Sequence, residues 1–386
     1  MNRDEPMQLG TYGGAEVHRT GKMLIVRFNE PHRVISTSRV YGGMHDDLQC
    51  IFNHQSCEPA GHHRKELKAI VSDPLRYQTE LCEQYGLPGL TASLGTAANM
   101  HYAAIETARF RNLAVTAICT GGVEGNAGRA GDPASVWEGE AGFEPLAASG
   151  DEPPGTINTM LLINRELAPG AMVRSIMTAT EAKCTVLQEL AVSSRYSDGL
   201  ATGTGTDQIA VACSLGGGSP LTSAGKHSKL GELIGRAVSR AIGKTLALQN
   251  SLTPENQRSI SEHIRRFGAD RTGLTEGVAR RLPEEAAELI RKNPLALDRD
   301  PLAVGAACAL VHVRDKLAWG ILPQSCMREL FVMHGALLAS AVSRKSGEYA
   351  GYAARLEHEQ AGMDNHVFLE FIYAACALGY REKWNN

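Results

Sequence analysis

Thr156-Ile157-Asn158-Thr159-Met160-Leu161-Leu162-Ile163 reads as a strand, and Pro169 shortly after it suits the first turn of a helix. Val173, Ile176, Met177, Thr180, Cys184, Leu187 and Ala191 then recur at helical spacing and predict one buried stripe. After Ser197-Asp198-Gly199 comes a second strand, Gln208-Ile209-Ala210-Val211-Ala212-Cys213, and a turn at Gly216-Gly217-Gly218. A helix over about Ser228 to Gln249 is predicted to bury Leu230, Leu233, Ile234, Ala237, Val238, Ala241, Ile242 and Leu246. Working outward, Met23–Phe28 is a further strand, and the apolar run Cys50-Ile51-Phe52 ends at polar Asn53-His54. A helix from about Arg64 to Gln84 is punctuated by Pro74. The buried strand Leu113–Cys119 runs into the Gly-rich loop Thr120–Asp132, and Pro153-Pro154-Gly155 marks another loop. Strands alternating with helices predict an α/β fold, a layered mixed sheet with flanking helices.

Beyond Asn250 the texture changes. Thr253-Pro254-Glu255 resembles a helix start, and the rest carries helical patterns with almost no β-branched runs. The expected organisation is an α/β domain over 1–250 and a small all-helical domain over 251–386. A formal net charge of −3 with 21% charged residues shows no basic patch, so neither nucleic acid nor an anionic membrane is an expected partner. Nine cysteines without a Cys-x-x-Cys pair read as reduced, buried thiols. Asp4, Glu5 and His18 interrupt any leader pattern, and no run approaches a membrane span, so a cytoplasmic protein is expected. Oligomeric state is not set by these features.

The chemistry-bearing residues gather around the second strand. Thr202-Gly203-Thr204-Gly205-Thr206-Asp207 crowds three hydroxyls and a carboxylate at its mouth. Asp207 would serve there as a general base, or else cap the glycine-rich turn. Lys226-His227-Ser228-Lys229 puts cations where a helix begins, against the macrodipole, which points to an anionic partner or a catalytic need; Ser228 is the expected cap. Glu181 and Lys183 fall on the shoulders of the predicted apolar stripe, where desolvation would raise a carboxyl pKa toward that of a general acid, unless both simply snorkel. His54, Asp132 and His227 would be ligands for a divalent metal if they converged, but no ligand spacing links them. His263, His312, His334, His358 and His366 in the helical part read as structural or surface residues.

These segments resemble the adenosylcobinamide amidohydrolase family of corrinoid salvage. The resemblance rests on Tyr41-Gly42-Gly43 with Asn53-His54, Thr120-Gly121-Gly122-Val123 with Ala130-Gly131-Asp132, and Gly155-Thr156-Ile157-Asn158. Thr178–Lys183, Leu200–Asp207 and Ala224–Gly235 complete it, in the family's order over about 13–248. It does not reach 251–386. Gly122 with Glu124-Gly125-Asn126 stands where the family pattern more often reads Ala-Gly-Val-Ser-Asn. The resemblance implies hydrolysis of the amide joining aminopropanol to a corrin propionate of adenosylcobinamide, releasing adenosylcobyric acid and 1-amino-2-propanol; a non-catalytic corrinoid carrier or sensor is the alternative. Such a reaction needs an activated water, donors for the oxyanion and an acid for the nitrogen. Asp207 or Glu181 is expected as base and His227 as acid. Lys226, Lys183, Thr202, Thr204 and Thr206 are expected to contact substrate. His54, Asn53 and Asp132 would complete the shell, or hold a metal; no other cofactor is implied.

Overall fold

The computed structural model describes residues 6–56, 70, 72–140, 142–146, 155–216 and 218–383. The chain divides into two compact units, 1–252 and 253–386. In the first, the strands in chain order are β1 (Met7–Tyr12), β2 (Ala15–Thr20), β3 (Met23–Phe28), β4 (His32–Ser36), β5 (Gly43–His45), β6 (Cys50–Gln55), β7 (Thr91–Thr96), β8 (Ala104–Phe110), β9 (Leu113–Gly122), β10 (Ala127–Gly128), β11 (Val136–Gly139), β12 (Gly142–Pro145), β13 (Thr156–Ile163), β14 (Gly203–Thr204) and β15 (Gln208–Ser214). Its helices are α1 (Pro74–Tyr85), α2 (Pro169–Glu189) and α3 (Lys229–Asn250). One sheet has the order β1-β2-β3-β6-β7 and another the order β5-β4-β15-β13-β9-β8; β10–β14 and β11–β12 are short separate ladders.

Period-two alternation sorts the strand residues into layers. On β13, Ile157, Leu161 and Ile163 join the cluster formed with α2 and α3, whereas Met160 and Leu162 face the five-stranded sheet. Val115, Ala117 and Cys119 of β9 follow the first group and Ile118 the second. In the five-stranded sheet, Leu24, Val26 and Ile51 face inward, while Met23, Ile25, Cys50 and Phe52 pack under α1 with Leu81 and Cys82. The result is four layers: α1, five strands, six strands, then α2 with α3. The fold is thus layered α/β with mixed sheets, built on two major sheets.

β13 and β15 are parallel neighbours joined through α2. The apolar stripe predicted for α2 is displaced. Val173 and Met177 are 50% and 47% exposed, and the buried face is Ala171, Met172, Ser175, Thr178, Ala179, Ala182, Val186 and Leu187. Small side chains let α2 approach α3 closely, and Ser175 and Thr178 satisfy their hydroxyls on the carbonyls of Ala171 and Ala224, both at 2.8 Å. α3 buries all eight residues its periodicity marks out. Ser228 caps it, accepting from Gly231 N at 3.1 Å. Pro74 opens α1, with Asp73 as the cap; most of the segment 64–73 and the loop residues Pro153, Pro154 and Gly217 lie outside the described residues.

The second unit contains α4 (Pro254–Gln257), α5 (Ile260–Ile264), α6 (Arg271–Ala279), α7 (Glu284–Lys292), α8 (Leu295–Asp298), α9 (Pro301–Ala318), α10 (Met327–Ser343), α11 (Tyr349–Leu356) and α12 (Asn365–Glu382), with no strand among its described residues. Phe267, Phe331, Phe368, Phe371 and Tyr352 centre its core. Buried Arg314 stacks on Phe267, 4.0 Å from the ring centroid, and donates to Met363 O at 2.9 Å. His263 accepts its place structurally, bonded to Gln257 O at 3.0 Å.

Candidate active site

The strand register brings Thr120, Asn158 and Gln208 side by side across β9, β13 and β15. Opposite them stand Asn53 of β6 and Gly95 of β7. Asn53 Nδ2 donates to Thr120 Oγ1 at 2.8 Å; Asn158 Nδ2 donates to Asn53 Oδ1 at 2.9 Å and to Gly95 O at 3.0 Å. Gly95 N donates to Gln208 Oε1 at 2.7 Å. This polar layer ties the two sheets together at one rim of the sandwich. Asn158 Oδ1 is buried and has no partner among the described residues, a deficit that costs roughly 1–3 kcal/mol wherever it occurs.

On the same rim, Lys183 of α2 meets Asp207 at the entrance to β15 in a close ion pair whose side chains are both 15% exposed. Asp207 is fully engaged. Oδ1 accepts from Ile157 N at 2.9 Å and Thr204 Oγ1 at 2.6 Å, and Oδ2 accepts from Thr204 N at 3.1 Å as well as from Lys183. Four donors on one carboxylate leave it a cap and a charge partner with no lone pair aimed at a water. Gly203 permits this packing, since a Cβ there would stand 2.7 Å from Lys183 Nζ and closer still to Asp207 Oδ2. The neighbouring hydroxyls are wired too: Thr206 Oγ1 bonds Thr156 Oγ1 at 2.6 Å and Gly155 O at 2.9 Å. Asn126 Nδ2 reaches the same carbonyl at 3.2 Å and accepts at Oδ1 from Tyr196 OH at 2.6 Å.

The other expected residues are placed elsewhere. Glu181, two residues before Lys183, points away from it and pairs with Lys226 at 2.8 Å on an exposed surface. The Lys226 ammonium holds its carboxyl below the usual glutamate range, the reverse of the raised value expected from desolvation. The cations at the start of α3 find anions within the chain: Lys226 takes Glu181, and Lys229 takes Glu232 and lies over the Phe110 ring. His227 is exposed, and among the described residues no hydrogen bond or ion pair links it to Asp207 or Glu181. His54 follows Asn53 but faces the other side of the sheet, where its Nδ1 bonds Tyr77 OH at 2.8 Å beneath α1. Burial, with a lesser push from Lys22, lowers its pKa to about 4. Asp132 organises its own loop, accepting from Arg129 N at 2.7 Å and Ser194 Oγ at 2.6 Å. Burial works to raise its pKa, but those bonds and one from Ser197 outweigh it and the net shift is downward. Thr202 Oγ1 accepts from Ala130 N at 2.9 Å. His54, Asp132 and His227 therefore do not converge, and among the described residues no three His, Cys, Asp or Glu side chains gather to hold a metal ion.

Sequence reasoning picked out Asp207, Lys183, Asn53 and the threonines of the Gly-Thr-Gly-Thr loop as site residues; Thr120 and Asn158 entered it only within the family segments, and Gln208 and Tyr196 were given no role. Asn158 carried a signal: it is an amide inside a strand whose eight residues are all buried. Tyr196 carried none.

The fold is two sheets clamped by helices, with a partly buried Lys–Asp pair and an amide-lined polar layer at one rim. The chain belongs to the adenosylcobinamide amidohydrolase family, whose model matches residues 8–254. An uncharacterized protein of Methanocaldococcus jannaschii is 32% identical over 241 residues, covering 60% of this chain and 88% of that relative. Among the described residues no helix is long and apolar enough to cross a membrane.

Proposed function

We infer that the protein hydrolyses the aminopropanol amide of adenosylcobinamide to adenosylcobyric acid and 1-amino-2-propanol. The observation that carries this reading is the family match over 8–254, which includes every segment of the rim. Water adds to the amide carbon, the carbonyl oxygen gathers negative charge, and the carbon–nitrogen bond breaks as nitrogen takes a proton. Lys183 Nζ is the group assigned to the oxyanion, because a fixed ammonium in a partly dry setting stabilises charge that develops only in the transition state. Asp207 orients Lys183 and holds the Gly-Thr-Gly-Thr loop; it is a positioning residue. Asn158 Oδ1, the unpaired acceptor, is assigned to the floor beneath the reacting amide.

Incubation of purified protein with adenosylcobinamide, with and without a chelator, tests the reading. Release of aminopropanol and cobyric acid is expected. Tight corrinoid binding without release would establish a carrier instead, and release that a chelator abolishes and a divalent ion restores would add a metal to the site.

A further inference from the structure

Breaking the amide requires a proton for the departing nitrogen, and Glu181 and His227 do not stand at the rim to give it. A different group does. Gly128 of β10 and Gly203 of β14 are direct cross-strand partners. Residues opposed in this way present the same face, with Cβ positions about 5 Å apart. Both are bare on that face and both are overlain. A Cβ on Gly203 would meet Lys183 Nζ at 2.7 Å, and a Cβ on Gly128 would meet the Tyr196 ring at 3.3 Å, with Asp132 Oδ2 at 3.9 Å. The two glycines thus let an ammonium and a phenol lie next to each other against one strip of backbone. Tyr196 is fastened there: Arg195 N donates to Ala127 O at 2.8 Å, and Tyr196 N donates to Ser194 Oγ at 3.1 Å. Its hydroxyl donates to Asn126 Oδ1 at 2.6 Å, and that oxygen is 3.5 Å from the Cβ position of Gly205 in the Gly-Thr-Gly-Thr loop. Asn126 Nδ2 is held by Gly155 O at 3.2 Å, which fixes which end of the amide faces the phenol. An amide oxygen only accepts, so the phenol is presented to the rim with its proton in place.

We propose that Tyr196 is the catalytic acid of the site, giving its phenol proton to the amide nitrogen. The assignment rests on the amidohydrolase reading. Lys183 faces the charge that gathers on the carbonyl oxygen, and Tyr196, over the adjoining glycine, faces the other side of the same reacting group. As the carbon–nitrogen bond breaks, its electron pair goes to nitrogen and takes the phenol proton, so the amine leaves neutral. The hydroxyl of the attacking water stays on the carbon, its remaining proton returns to the phenolate, and the second product is the carboxylic acid. The other hydroxyls of the rim are committed elsewhere, Thr204 to Asp207 and Thr206 to Thr156 and Gly155 O. The Asp207 carboxylate already accepts four hydrogen bonds and carries no proton to give.

The test is steady-state kinetics of the full chain and its Tyr196→Phe variant on two amides, adenosylcobinamide and the trifluoroethyl amide of adenosylcobyric acid. Phenylalanine keeps the ring over Gly128 and removes only the O–H. On adenosylcobinamide kcat is expected to fall about 100-fold with KM within about threefold. Trifluoroethylamine is a far weaker base and leaves with less need of a proton, so on that amide the loss should shrink to less than about tenfold. Equal losses on both amides would overturn the acid and leave Tyr196 acting through Asn126. Near-wild-type kcat on adenosylcobinamide in a folded variant would overturn it too, with the amidohydrolase reading left standing. Where urea melts show that Tyr196→Phe does not fold, protein made with 3-fluorotyrosine keeps every ring and lowers the phenol's basicity. The alkaline limb of its kcat–pH profile should then move to lower pH, a shift that Lys183 cannot produce, and an unmoved limb overturns the proposal. Wild-type protein that neither binds nor cleaves adenosylcobinamide would overturn the underlying reading and the acid with it.

Discussion

Two lysine–carboxylate pairs sit two residues apart on α2, and they belong to different worlds. Lys183–Asp207 faces the rim, each side chain 15% exposed, with three further donors on the carboxylate. Glu181–Lys226 faces solvent, with side chains 44% and 65% exposed. Two steps of a helix turn the chain by about 200°, so residues that look like one catalytic group in the sequence face nearly opposite ways. Burial and hydrogen-bond saturation decide what each pair does. A desolvated pair is expensive to break and can act on charge, whereas an exposed one is screened by water and salt.

The sharpest way to break this contrast is to remove one charge at a time. Asp207→Asn and Lys183→Met should each lower kcat by ~10^2- to 10^3-fold and destabilise the fold by about 3–5 kcal/mol, because a charge is left buried without its partner. The double variant separates the two roles: stability should largely return while activity stays lost, as measured by urea melts and product release. Recovery of activity along with stability would reduce Lys183 to a structural residue. Next in size is His54. Its folded pKa is lowered to about 4, so between the unfolded value near 6.5 and about 4 the unfolded chain binds more protons than the folded one. Stability should therefore be intact above that window and fall as pH drops through it, by about 3 kcal/mol in all. His54→Phe should flatten this slope and leave kcat near wild type; a large kcat loss in a folded variant would return His54 to the reaction. The smallest effect is expected at the exposed pair. Glu181→Gln and Lys226→Met should change kcat by less than about threefold. Whatever stability Glu181 contributes is present above the ordinary glutamate range and lost as pH falls through its lowered pKa.

Regions where side chains follow one strong period were legible in the sequence. α3 and β13 are of this kind, since large apolar residues fall on a single helical face or fill a whole strand. The buried face of α2 was not, because it is made of Ala, Ser and Thr, while Val173 and Met177 are left in solvent. β1 and β2 were equally hidden: Gln8, Thr11, Glu16, His18 and Arg19 make them read as loop, and only pairing with β3 shows them to be strands. At the site, the Gly-Thr-Gly-Thr-Asp loop announced itself through composition. The choice of Lys183 over Glu181 as its partner depends on how α2 rolls onto α3, which no local pattern encodes.

Asn53 and His54 are successive residues of β6, one projecting between the sheets and the other beneath α1. A slip of β6 by a single position against β3 and β7 would exchange them, putting an imidazole against Thr120 and Asn158 and stranding an amide among Tyr77, Leu81 and Cys82. Each residue fits only its own side, so the pair works as a key that admits one alignment of the central strand. The amide that helps furnish the floor of the rim, with the imidazole next to it in the chain, thereby proofreads the assembly of the sheet on which that floor stands.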